Sequence, residues 1–429
     1  MKKTPSRRRT ARRPEAKAAL FHSRLPRDFA KLWAGQTISE ICSRITREGL
    51  PLTALLTLHA TAGQMGILSA VGSASILVFS LGAGVMVDRL KKRPVMIATD
   101  LSRAAVLSIV PLAAYRHALS IPLLIAIAVA AGILTVLFDV AYQSYLPALV
   151  PPEELLESNR RLSVSASAAE MAGPAMTGAL VQAITAPLAI LIDALSFLVS
   201  AFSVWAIRKP EMAPARADDT RLLAEALDGF RFIWRHPALR ALLLRSATAF
   251  LSLGLISPLY LLNAIRVVHM STSQLGIAIA LGGLGGVVGA WLAPRLSARH
   301  GLGPMFFTTA VLVGCAQMFI PLSSALPRFG FLCLCVQQLG GDFVWTVYVV
   351  NETALRQLLA PAAVIGRVNA AMQLASRGML PFGALAGGFL AERVGIPATL
   401  FLGAGGVLAA CLWLAPLRKM QGATVQQAA

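Results

Sequence analysis

Apolar runs of roughly 20 residues recur along the whole chain, and each is long enough to cross a ~30 Å hydrocarbon layer as a helix. No other feature constrains the fold as strongly. Inside lipid every backbone polar group must be satisfied within the protein, so only helices and closed barrels can span. A barrel would show alternating segments of about ten residues, and this chain shows continuous apolar runs. Of its 429 residues, 56% are hydrophobic and 14% are charged, against about 25% charged in an average soluble domain. The sequence therefore predicts an all-α polytopic membrane protein. Twelve spans are expected, over approximately 32–58, 65–87, 94–115, 120–145, 160–184, 187–207, 241–265, 274–295, 303–323, 329–352, 367–391 and 396–417.

The net charge of +19 would suggest nucleic acid in a soluble protein. In a membrane chain it reads as the excess of Lys and Arg in cytoplasmic loops. With the N-terminus placed in the cytoplasm, 31 Lys and Arg fall on that side and 4 on the other: Arg116, Arg266, Arg328 and Arg393. Both termini are thus predicted to be cytoplasmic. The start, "MKKTPSRRRTARRPEAK", is a solvated basic tail that can touch anionic lipid. It lacks the apolar run of a signal peptide.

The longest polar interruption, from Arg208 to Arg240, divides the spans six and six. It gives a tail over 1–31, a bundle over 32–207, a linker over 208–240, a second bundle over 241–417 and a tail over 418–429. Within the linker Leu223, Leu227, Phe230 and Trp234 recur at helical spacing, which predicts an amphipathic helix on the inner membrane surface.

The two halves are related by a shift of 210. "LHATAGQMGI" matches "VHMSTSQLGI" and pairs His59 with His269, Gln64 with Gln274 and Gly66 with Gly276. A second match at that shift pairs Asn159 with Asn369, Gly173 with Gly383 and Gly178 with Gly388. The chain is a duplicated six-helix unit. Two parallel repeats about an axis along the membrane normal form one large class of secondary transporters.

Three motifs sharpen this. Between spans 2 and 3, "GAGVMVDRLKKRP" resembles the G-x-x-x-D-R-x-G-R-R loop of the major facilitator superfamily through Gly84, Asp88, Arg89, Lys92 and Arg93. Lys91 stands where that loop carries Gly. Span 5 holds "AGPAMTGAL", similar to the G-P-x-x-G-G signature of the superfamily's antiporters through Gly173, Pro174 and Gly178. "GRVNAAMQLASRGMLPFGALAGGF" resembles the drug- and siderophore-exporting branch, the enterobactin-exporter-like or transmembrane secretion effector family. The resemblance implies a mostly monomeric, proton-driven exporter of a small amphipathic molecule in a bacterial inner membrane, working by alternating access. It also implies a gating role for the loop after span 2, with Gly84 permitting close helix approach and Asp88 capping a helix. The alternative is an importer or lipid flippase of the same fold.

"SEICSRITREGLPL" places Glu40, Arg44, Arg47 and Glu48 inside the first span. On a helical wheel they fall within about 100° of arc. Each charge facing lipid would cost about 3 kcal/mol or more, so the stripe must face a cavity or other helices. One reading is a self-satisfied ladder of i, i+4 pairs; the other is a lining of the transport path. The shift of 210 maps the four onto Phe250, Gly254, Ser257 and Pro258, so the fold does not require the charges. Asp139, Asp342, Glu352 and Arg377 are further candidates for coupling or the substrate cavity, and Arg377 calls for an acidic partner such as Asp342 or Glu352. Glu170 and Asp193 rank lower. Asp100 and Arg103 read as structural.

The rival class is an enzyme or electron carrier. All six histidines fall at span ends or in loops, so no intramembrane pair stands ready for haem or metal. No Gly-rich phosphate loop or nucleophile elbow appears. The expected partners are therefore a small-molecule substrate, protons and the lipid bilayer, without cofactor, metal or nucleic acid. The five cysteines suggest packing, not a disulfide framework.

Overall fold

In the computed structural model the described residues are 26–211, 222–361 and 364–415. They form helices and no strand. The first half holds α1 (Arg27–Leu56), α2 (Ala62–Asp88), α3 (Lys92–Tyr115), α4 (Ile121–Leu149), α5 (Leu155–Ile184) and α6 (Ala186–Trp205). A linker helix, α7 (Leu222–Arg235), follows. The second half holds α8 (Pro237–Leu262), α9 (Thr272–His300), α10 (Leu302–Gln317), α11 (Phe319–Ala325) and α12 (Gly330–Leu359). It ends with α13 (Ile365–Arg377), α14 (Met379–Val394) and α15 (Ile396–Ala409). Taking α10 with α11 and α13 with α14 as interrupted crossings, each half makes six.

The duplication read in the sequence is visible in the backbone. Thr61 and Gln64 form a capping box at the start of α2, and Ser271 and Gln274 form the same box at the start of α9. His59 and His269, which precede them, both adopt positive φ, 51° and 59°. Thr185 (φ 91°) and Gly395 (φ 89°) make the corresponding turns into α6 and α15. Packing repeats as well. In the first half α1 lies on α5 and α6, α3 on α4 and α6, and α2 on α4. In the second half α8 lies on α14 and α15, α10 on α12 and α15, and α9 on α12.

Among the described residues nine segments are long and apolar enough to span a membrane on composition alone. α1, α5 and the α13–α14 pair are not among them, because each carries charge. Those three have protein surfaces to face. α1 borders the main cavity, α5 packs on α9 across the halves, and α14 packs on α2.

The halves are pinned at the end remote from the Lys- and Arg-rich loops. Gly66 meets Gly388 where α2 crosses α14, and Gly178 meets Gly276 where α5 crosses α9. A Cβ at Gly66 would stand 2.7 Å from the Ala384 carbonyl oxygen, and one at Gly276 2.5 Å from that of Pro174. Backbones touch here because no side chain intervenes. The four glycines are two of the residue pairs matched by the internal repeat. Hydrogen bonds close the same end. Glu392 of α14 accepts from Thr61 Oγ1 (2.6 Å) and Gly63 N (2.9 Å). Its counterpart at the shift of 210, Gln182 of α5, accepts from Ser273 N (3.2 Å). At the opposite end, among the described residues, no atom beyond the local helix backbone lies within 4 Å of a Cβ built on Gly82 or Gly84.

The linker helix is amphipathic, with Ile233 and Gly229 buried and Phe230 and Trp234 exposed and stacked on each other. α7 packs on α13. The side chains of Leu223 and Leu227 lie outside the described residues.

Candidate functional site

A cavity of about 780 Å³ opens between α1, α2, α3, α4, α6 and α8. The charged stripe of α1 faces it: Glu40, Arg44, Arg47 and Glu48 all line its wall. Arg44 accounts for the geometry of this wall. Its Nη2 donates to Glu40 Oε1 at 2.8 Å, and its Nη1 pairs with Glu170 of α5. Its side chain is the most buried of the four, at 14% exposure. The stem fits because Gly173 lies opposite. A Cβ there would stand 2.5 Å from Arg44 Cγ and 2.6 Å from its Cβ. At the equivalent crossing of the second half, Gly254 replaces Arg44 and meets Gly383 backbone to backbone. The antiporter-like glycine therefore seats an arginine here.

Arg47 reaches Glu48 at 3.9 Å and Glu170 at 3.7 Å. The ladder read from the sequence, Glu40–Arg44–Glu48, is thus only half formed. Arg44 turns to Glu170, and Glu48 is left with Arg47. Glu170, ranked low on sequence, is the residue shared by both arginines. Nothing in α1 alone could reveal it, since the contact depends on how α1 crosses α5.

On the far wall Asp193 is fully buried, accepting from Thr46 Oγ1, from Ser43 Oγ at 3.5 Å and from Ser196 Oγ at 3.1 Å. Arg103 pairs with the buried Asp100, and its guanidinium lies between the rings of Phe138 (4.4 Å) and Phe197 (4.1 Å). The pair is buried, yet Arg103 also borders the cavity. Asp139 is exposed to the cavity and makes no hydrogen bond or ion pair among the described residues.

Three candidates do not line this cavity. Asp342 lies against α9 in the space left by the missing side chain of Gly282. Glu352 is 9% exposed and bound to Arg356 at 3.1 Å. The glycine-rich face of α9 draws α12 close; Glu352 lies inside the second bundle near Arg245, whereas Asp342 stays near Glu170 of the first half and Tyr260 of the cavity wall. Arg377 is exposed at the break before Gly378, and neither Asp342 nor Glu352 pairs with it. At the α13–α14 break its side chain is free to leave the helix interior, which removes the need for the acidic partner expected from sequence. A buried arginine that the charge count had placed on the cytoplasmic side emerges instead. Arg245 is 1% exposed, lies 3.9 Å over the ring of Tyr348, and leaves Nε and Nη2 without hydrogen bonds.

The loop after α2 is fastened to its own half. Glu211 accepts from the backbone N–H of Lys92 and of Arg93 (3.1 Å), capping α3. Lys92 Nζ donates to Val87 O (2.8 Å) at the end of α2, and Arg93 donates to Val204 O (3.2 Å) and Trp205 O (2.6 Å) at the end of α6. These are cations at helix C-termini and an anion at an N-terminus, as the helix dipole favours. Arg89 is exposed, and the side chain of Asp88 lies outside the described residues. Gly84 does not serve close helix approach in this conformation: among the described residues no neighbouring atom lies within 4 Å of a Cβ built there.

Two six-crossing bundles related by a repeat, pinned at one end around a polar cavity, define a transporter of the major facilitator fold. Solved structures share it. The nucleoside transporter NupG aligns with a TM-score of 0.72 at 11% identity, over 92% of this chain and 100% of that one. A bacterial homologue of the iron transporter ferroportin aligns at 0.71 and 17% identity in its inward-facing state, over 92% and 99%. In its outward-facing state it aligns at 0.58. Residues 24–428 match the transmembrane secretion effector family, and the chain belongs to that family. Its relatives include macrolide efflux protein A of Streptococcus pyogenes, 24% identical over 86% of this chain and 90% of that protein. Another is the multidrug efflux pump Tap of Mycolicibacterium fortuitum, 26% identical over 80% and 84%.

Proposed function

We propose that this protein is a proton-driven exporter of small amphipathic molecules, working as a monomer in a bacterial inner membrane with both termini in the cytoplasm. The relatives named as macrolide and multidrug efflux pumps support the direction. The bias of Lys and Arg to one side supports the orientation. The end pinned by Glu392 and Gln182 then faces outward, so the cavity belongs to an inward-open state, in keeping with the better fit to an inward-facing relative of the fold.

The observation that carries the coupling is Arg47 standing between Glu48 (3.9 Å) and Glu170 (3.7 Å) on the cavity wall. Glu48 is the more buried of the two stripe carboxylates, at 23% exposure against 43% for Glu40. A proton on Glu48 frees Arg47 for Glu170 or for a polar group of the substrate; loss of that proton draws Arg47 back. Proton and substrate then compete for one cation, which is antiport in physical terms. The loop of Asp88, Arg89, Lys92 and Arg93, with Gly84, acts as the inner latch when the halves close on that side.

Glu48→Gln decides the matter, being nearly isosteric and always neutral. The variant is expected to insert and to bind substrate, but to fail in proton-gradient-dependent uptake by inverted vesicles. Wild-type uphill transport by Glu48→Gln, with the usual pH dependence, would remove Glu48 as the carrier and pass the role to Asp139.

A further inference from the structure

At the Lys- and Arg-rich end the two halves treat their cations differently. In the first half several are held by the protein. Lys31 Nζ pairs with Asp28 at 2.7 Å, and Arg160 and Arg161 share Glu157. Arg93 donates to the end of α6, and Lys209 Nζ donates to Leu149 O at 3.1 Å. In the second half Arg235 of α7, Arg240 of α8 and Arg367 of α13 are exposed, and none makes a hydrogen bond or ion pair among the described residues. The three stand on helices in mutual contact, since α7, α8 and α13 pack on one another. Asp228, an acidic side chain of α7, is taken by Arg231 at 3.4 Å.

Aromatic rings lie beside these cations. Phe230 and Trp234 stack with centroids 5.7 Å apart and are 40% and 49% exposed. The Arg240 guanidinium lies 5.8 Å over the Trp234 ring. The indole N–H of Trp33 donates to Ser165 and that of Trp413 to Thr248, whereas that of Trp234 has no partner among the described residues. Around α7, at 100° per residue, Gly229 and Ile233 face the protein, Phe230 and Trp234 come next, and Arg231 and Arg235 follow. A helix lying in a membrane surface presents this order, with rings among the upper acyl chains and cations at the phosphates.

We propose that this patch is a binding site for an anionic phospholipid. The lipid phosphate accepts from Arg240, Arg235 and the Trp234 indole N–H, charge-assisted bonds of the strong kind. Arg367 extends the positive field, and Phe230 and Trp234 lie along the glycerol and upper chains. The lipid acts on the fold through α13. Gly229 carries no side chain where α7 meets the Arg367 carbonyl, so the two helices move together. α13 ends at the break before Gly378, and beyond it α14 is pinned to α2 at Gly66 and Gly388. A lipid that holds α7 at the membrane surface therefore restrains the end of this crossing remote from the pin. The meaning of that restraint for alternating access rests on the exporter reading; the site itself does not.

The test uses the full chain in phosphatidylcholine nanodiscs doped with phosphatidylglycerol whose chains carry bromine, against discs doped with brominated phosphatidylcholine. Bromine quenches tryptophan on contact, and the emission lost in Trp234→Phe belongs to Trp234. The anionic lipid should half-quench this emission at a mole fraction about fivefold lower or less, the worth of one Arg near an anionic headgroup. Arg235→Gln with Arg240→Gln should remove the preference. Equal quenching by the two lipids would overturn the site, and so would a preference that survives in the double variant. Glycerol 3-phosphate at matched ionic strength should leave the preference intact; its loss would assign the cations to a soluble phosphate and overturn the lipid site. Phosphatidylglycerol should also slow amide exchange over 365–377 several-fold in the wild type and not in the double variant. Unchanged exchange beside an intact preference would overturn the action through α13. Neither measurement reads efflux, so failure of drug movement in inverted vesicles would remove the exporter reading and leave the lipid site standing.

Discussion

The two halves share one backbone plan and solve the same packing problem with opposite chemistry. Where α1 crosses α5, Arg44 lies in the notch of Gly173; where α8 crosses α14, Gly254 meets Gly383 and no side chain enters. Each half also stacks a buried arginine on the aromatic residue at the same repeat position, Arg103 on Phe138 and Arg245 on Tyr348. Yet the arginines come from non-equivalent helices, α3 and α8. The first half places its charges along a cavity. The second places Glu352 and Arg356 inside the bundle, with Asp342 tucked against α9. The difference teaches that the fold needs the glycine crossings and tolerates the charges. The charges on α1 line the cavity, and the second half builds the same crossing without them.

The comparison breaks most readily at the buried arginines. Arg103→Met should strand Asp100, which is fully buried, and unfold the protein earlier in a thermal melt. Leaving one partner of a buried pair alone costs about 3–5 kcal/mol. Arg245→Met removes a guanidinium with two unsatisfied nitrogens and leaves Glu352 with Arg356. Its loss should be clearly smaller. Equal losses would mean that Arg245 has the same structural weight as Arg103.

The glycine crossings come next. Gly383→Ala would drive a Cβ against the α8 backbone, 2.8 Å from Gly254 Cα, and overpacking of this kind costs about 1–3 kcal/mol. Gly173→Ala meets the stem of Arg44 instead, and a side chain can shift. We expect the second variant to melt nearer the wild type, and Arg44→Ala to relieve its clash. Matching melts for Gly173→Ala and Gly383→Ala would show that Arg44 is held as rigidly as backbone.

The smallest effect lies at the pinned end. Glu392 is exposed and lies beyond the span predicted over 367–391. The Thr61 hydroxyl and the Gly63 N–H hold its carboxyl below the usual carboxylate range. A lowered folded-state value makes this contribution present above the ordinary carboxylate pKa and lost as pH falls through the folded one. Below about pH 4 crosslinking of α2 to α14 should weaken, while α5 to α9, held by Gln182, should not change. Glu392→Gln, which copies its counterpart, should remove the acid sensitivity. A pH response that persists in Glu392→Gln would place the titrating group elsewhere.

Much of this was legible in the sequence. Apolar length dictated helices, because backbone groups in lipid have no water to bond. The 210-residue repeat gave the two bundles, and it paired the very glycines that meet where the halves are pinned, Gly66 with Gly276 and Gly178 with Gly388. It could not say that they meet crosswise, Gly66 on Gly388 and Gly178 on Gly276, since only the packing of one half on the other decides that. The wheel placed Glu40, Arg44, Arg47 and Glu48 on one face, because helical periodicity is local. Of the partners of Arg44 it found Glu40 and missed Glu170, because Glu170 arrives from a helix more than a hundred residues away. Glu352 carries the same type of side chain as the cavity carboxylates, yet it lies inside the second bundle, bound to Arg356. Charge, length and repeat are properties of the chain; ion-pair partners and exposure to a cavity are properties of helix crossings, and those exist only once the two halves have packed.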